Sequence, residues 1–154
     1  MNIFSLVIPE IALFISTTIL LMAGLFVKKT NSINLFSILI LFLTGLLVVS
    51  QSASSGFSNS FVNDEFSKVF KIIIIVGSIT SLLMFPSSKK NLNIDIYEYP
   101  ILICFATIGM MVMVSANDLL AMFIGLELQS LCLYVLASFN RNSLQSSESG
   151  IKYF

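Results

Sequence analysis

Five apolar runs, near 8–27, 33–51, 67–85, 100–116 and 118–139, are each long enough to cross a hydrocarbon layer of ~30 Å as a helix of about 20 residues. Lipid offers the backbone no water, so such a run must close its hydrogen bonds within itself as an α-helix. The chain therefore reads as all-α, a polytopic transmembrane helix bundle forming a single membrane domain over 1–154. Its 56% hydrophobic and 10% charged content and mean hydropathy of +0.97 agree, since soluble domains carry roughly a quarter charged residues.

That composition removes most other classes. Eight basic residues balance eight acidic ones and there is no His, so neither a basic nucleic-acid face nor a zinc-type ligand set is expected. Cys104 and Cys132 lie inside apolar runs and read as small hydrophobes. The first run has nothing basic before it, carries Glu10 and lacks a small-residue cleavage site, so it is expected to remain in the mature protein.

Boundaries follow from the polar residues. Segments 51–63 and 86–100, rich in Ser, Gly, Asn and charge, read as solvated loops. Pro9 and Glu10 suit a helix start, where a carboxylate meets the positive end of the helix dipole, so Glu10 reads as a helix-end residue. From 101 to 139 the chain is nearly continuously apolar; as one helix at ~1.5 Å per residue it would be nearly twice the bilayer core, so Ser115-Ala116-Asn117-Asp118 is expected to form a tight turn. A sixth helix starts over 146–154, with Glu148 and Lys152 spaced for an i,i+4 pair, and has no body, so the chain is expected to be truncated. Lys28, Lys29, Lys89, Lys90 and Arg141 on one side outnumber Lys68 and Lys71 on the other, which places the N-terminus outside.

Glu127 carries the chemistry. An acid at the centre of a membrane helix costs about 2.5–3.5 kcal/mol on insertion scales, so it normally faces a bundle interior or a wet cavity and belongs to an ion or proton pathway. At ~100° per residue, Ser130, Tyr134, Ser138 and Arg141 share its face, all towards the cytoplasmic end. This one-sided stripe suggests a hydrated half-channel. The alternative is a protonated Glu127 acting as hydrogen-bonded packing between helices. Asp118 reads as a helix-end residue, the methionines at 110, 111 and 113 as packing, and Gly109 and Gly125 as a weak signal for close helix approach.

Glu98-Tyr99-Pro100-Ile101-Leu102, Phe105-Ala106-Thr107-Ile108-Gly109-Met110-Met111, Val114-Ser115-Ala116-Asn117-Asp118-Leu119-Leu120 and Gly125-Leu126-Glu127-Leu128-Gln129-Ser130-Leu131 together resemble the subunit N family of respiratory NADH-quinone oxidoreductase, complex I, whose mitochondrial counterpart is subunit 2. Pro9-Glu10-Ile11 and 148–154 fit the same family. The resemblance implies the first five helices, and the start of a sixth, of an antiporter-like fold. It puts Glu127 at the family's functional glutamate, a proton relay, with Ser130 and Tyr134 as weaker path candidates and Lys152 as a polar contact. It implies no cofactor in this chain, with NADH, FMN, iron–sulfur clusters and quinone in partner subunits. The partners are then other membrane subunits of the oxidoreductase and the lipid bilayer, with no nucleic acid, in a bacterial inner membrane or, alternatively, a mitochondrial one. Two other readings stay open: a subunit of a multisubunit Na+/H+ antiporter, and a membrane fragment without function of its own.

Overall fold

The longest helix runs through a proline, and a neighbouring helix supplies the hydrogen bond that the proline removes. In the computed structural model, which describes residues 6–27, 30–51, 54–56, 60–92, 97–139 and 144–154, the helices are α1 (Ile8–Val27), α2 (Thr30–Ser50), α3 (Glu65–Leu92), α4 (Glu98–Ser115), α5 (Leu119–Ala137) and a short α6 (Leu144–Tyr153). Five of them are long and apolar enough to cross a membrane. The region 86–92, expected as loop, continues α3 through Pro86. Proline has no N–H for the carbonyl one turn earlier. That carbonyl belongs to Leu82, and the buried Asn34 side chain donates to it at 3.1 Å from α2. A polar side chain on a neighbouring helix thus replaces the missing bond, as helices in lipid require.

The segment 51–63, expected as a solvated loop, instead carries a short antiparallel hairpin of β1 (Ser54–Gly56) and β2 (Phe61–Asn63). Phe61 and Asn63 are buried. Asn63 donates to the Gln51 side chain at 2.9 Å, and Gln51 donates to the Leu6 carbonyl at 3.1 Å. The Asn117 N–H donates to the Ser60 carbonyl at 3.0 Å, which ties the hairpin to the turn between α4 and α5. Polar side chains are drawn inward here because they satisfy one another and exposed backbone at the helix ends.

That turn divides the long apolar stretch. Ala116 is extended, and the Asp118 carboxylate caps α5 by accepting from the Leu120 N–H at 3.5 Å. An N-cap of this kind satisfies a donor that the first turn of a helix leaves free.

Helix α4 lies at the centre, packed against α1, α2, α3 and α5. Leu13, Leu41, Val48, Ile75, Leu82, Ile103, Cys104, Ile108 and Met111 form the main core. Most hydroxyls within the spans turn back on their own helix, as when Thr17 donates to the Leu13 carbonyl at 2.8 Å and Ser37 to the Ile33 carbonyl at 2.9 Å. Thr107 also reaches across to Ser78 of α3 at 2.9 Å. The outer faces, with Ile19, Phe42, Leu46, Ile73 and Leu83 exposed, are apolar as lipid contact demands.

Candidate functional site

Two glycines decide which way α5 presents its side chains. A Cβ on Gly109 would stand 2.7 Å from the Gly125 carbonyl oxygen, and one on Gly125 would stand 2.8 Å from the Gly109 carbonyl oxygen. Only glycine permits backbones this close, so α4 and α5 cross where each lacks a side chain. Cys132 is buried and Leu128 and Leu136 pack on the main core, on the same side of α5 as Gly125. Glu127, two residues from Gly125, lies ~200° around the helix and points away from α4.

Glu127 is half-buried at the centre of α5 and has no hydrogen bond or ion pair among the described residues. Within this chain it therefore does not face the interior of the first five helices. The rest of its stripe behaves differently. The Ser130 hydroxyl turns back to the Leu126 carbonyl at 2.6 Å. The Tyr134 ring meets Tyr153 and Phe154 edge-on, with centroids 5.3 and 5.4 Å apart. Ser138 lies against Gly150, where a Cβ would stand 2.5 Å from the serine Cβ. Tyr134, Ser138, Ser147, Gly150 and Phe154 line a cleft of about 480 Å³ between α5 and α6. Helix α6 thus covers the end of the stripe and leaves the acid open. Lys152 makes its i,i+4 pair with Glu148 at 2.6 Å on an exposed face of α6, apart from Glu127's stripe. Arg141 lies outside the described residues, as do Lys28 and Lys29.

A second ionisable constellation was not legible as such in the sequence. Lys71, counted there among the basic residues of the outer side, is fully buried, and Glu10, read as a helix-end residue, is 3% exposed; their Nζ and Oε1 atoms stand 2.6 Å apart. The distance is that of an ion pair, while neither Glu10 oxygen nor the ammonium meets the angles of a hydrogen bond. Distance governs the electrostatics, and both corrections follow from it: each charge is buried because the other is there. The Phe61 ring covers the ammonium at 5.6 Å. The available clue was depth, since Lys71 lies six residues into α3, about 9 Å from its start at ~1.5 Å per residue. No group of His, Cys, Asp and Glu suited to a metal ion occurs among the described residues.

Comparison with known proteins places this architecture. Residues 116–154 match the family described as NADH:quinone oxidoreductase/Mrp antiporter, TM. NADH-quinone oxidoreductase subunit N from Rhodospirillum rubrum is 41% identical over 96% of the chain, and that from Pelagibacter ubique 42% over 96%. Subunit N 1 of Rhizobium meliloti is 39% identical over 95%. The chain spans about a third of the length of these relatives, 31–32%. A chain of respiratory complex I from Thermus thermophilus, solved with bound aureothin, shares the fold at a TM-score of 0.78 and 22% identity, covering 95% of this chain and 32% of that one. With identity near 40% along almost its whole length, this multi-pass membrane chain belongs to the NADH-quinone oxidoreductase subunit N family.

Proposed function

We propose that this chain is part of a proton-translocating membrane subunit of NADH-quinone oxidoreductase, and that Glu127 takes up and hands on the proton. The observation that carries the reading is the setting of that acid: central in α5, half-buried, without a partner among the described residues, on the face turned away from α4. An intramembrane carboxyl of this kind is costly to keep as mere filling. Ser130, Tyr134 and Ser138 continue the same face towards one end, and the cleft beside Tyr134 and Ser138 gives water a polar edge. The acid's counter-charge then comes from protein that packs against this face. On this reading NADH oxidation and quinone reduction, with FMN and iron–sulfur clusters, belong to partner subunits.

Orientation belongs to the same proposal. With Lys71 paired inside the bundle, the balance becomes five basic residues against Lys68 alone, which favours the N-terminus outside in a bacterial inner membrane. Cysteine placed at Ser55, in a background without Cys104 and Cys132, should react from outside, and at Ser88 only after permeabilisation; the reverse pattern inverts the topology.

The matched family description also names Mrp antiporters, for which the same acid would serve cation exchange. Glu127→Gln decides the role, because it keeps size and much of the hydrogen bonding but removes the titratable proton. In the assembled oxidoreductase this variant should form normally and lose most of its proton pumping coupled to NADH oxidation, while Glu127→Asp retains more. Undiminished pumping would remove Glu127 from the pathway, and Na+-dependent exchange without NADH-driven pumping in the parent would favour the antiporter.

A further inference from the structure

We propose that Glu10 and Lys71 form a second proton-holding site, in which one proton moves between Nζ of Lys71 and Oε1 of Glu10. The transfer breaks an N–H bond and forms an O–H bond, converting ammonium and carboxylate into amine and carboxylic acid with no change in net charge. This goes beyond the function proposed above and does not rest on the role of Glu127.

Two observations, and the chemistry of lysine, favour the neutral form over what the same two groups would show in water. Both groups are removed from water, and each buried ion carries a desolvation penalty that proton transfer abolishes for both at once. The carboxylate has none of the backbone or hydroxyl donors that would hold it ionised, since both Glu10 oxygens lack hydrogen-bond partners. Lysine is also the cation that surrenders its proton when buried. Against these, the mutual attraction at 2.6 Å and the face of Phe61 at 5.6 Å favour the ionised form.

Among the described residues the other charges nearby are accounted for, Asp118 being exposed where it caps α5. Lys68 pairs with Glu65 at 3.0 Å, and Asp64 is exposed at the head of α3. Helix α2 carries no ionisable side chain, and the one acid of α4, Glu98, is at the opposite end of that helix from its contact with β2. Phe61, whose backbone bridges to Ala116, closes the pair beneath the hairpin. Among the described residues the site is thus a two-group system with a removable aromatic cover.

Infrared spectroscopy of the full chain in lipid vesicles at neutral pH reads the acid directly, through the carbonyl stretch of a protonated carboxyl and its shift in D2O. The parent should show a Glu10-dependent band that is absent from Glu10→Gln and from Glu10→Gln/Lys71→Met, and unchanged by Glu127→Gln. Phe61→Leu, which removes the ring favouring the cation, should strengthen it. The double variant removes both charges together and so preserves the comparison where a single variant does not fold. A parent spectrum identical in this region to those of the Glu10 variants, with no gain in Phe61→Leu, would show a permanent ion pair and overturn the proposal.

Discussion

Glu10 and Glu127 are both carboxyls inside membrane helices, yet they are satisfied in opposite ways. Glu10 meets Lys71 at 2.6 Å within the bundle of α1–α4, and the hairpin closes over them. Glu127 meets no partner among the described residues and looks away from α4. One acid is paired within these helices; on the function proposed above, the other is completed by protein outside them. Position within a span therefore does not by itself separate structure from function, and the supply of a counter-charge does.

The contrast is broken most forcefully at Lys71. Lys71→Met leaves a buried carboxyl unpaired and should cost about 3–5 kcal/mol, most of which Glu10→Gln added to it should restore. Unfolding of the chain in detergent or lipid measures both; a single variant as stable as the parent would show that the pair contributes nothing to the fold. Next in size is the glycine crossing. Gly125→Ala brings a methyl to 2.8 Å from a carbonyl oxygen and should destabilise by about 1–3 kcal/mol through overpacking. A disulfide engineered between α4 and α5 would also form more slowly in that variant, and an unaffected rate would mean that the helices do not meet there.

Smaller again is the repair of α3. Removing the Asn34 amide by Asn34→Leu should cost about 0.6 kcal/mol and no more than ~1.7, the range for hydrogen bonds between membrane helices. With Pro86→Ala the Leu82 carbonyl regains an N–H on its own helix, so Asn34→Leu should then cost nearly nothing. Equal losses with and without Pro86 would mean that Asn34 serves another purpose.

These positions also show what the sequence conveyed. Membrane spans were legible because hydrophobic length is a local property, and the α4–α5 turn because Asp118 has to cap something in an otherwise apolar stretch. The acid at 127 stood out for the same reason. What escaped is non-local: Lys71 looks like a flanking charge until Glu10 is folded against it, and Asn34 like a stray polar residue until Pro86 frees a carbonyl on another helix. The hairpin escaped because its residues are polar and short in run, while its burial comes from Gln51, Leu6 and the α4–α5 turn around it. Gly109 and Gly125 were each a faint signal alone and became decisive only as a facing pair.

The smallest effect bears on the central claim, that Glu127 is kept for its proton and contributes little to the folding of these helices. The measurement is the unfolding free energy of Glu127→Gln in this chain, set beside the parent under the same lipid conditions. An acid without partners should leave stability within about 0.5 kcal/mol when its proton is removed, as for positions outside any packed or bonded feature. A loss of about 1–3 kcal/mol, the cost of breaking a buried hydrogen bond, would instead make Glu127 part of the packing and contradict the account.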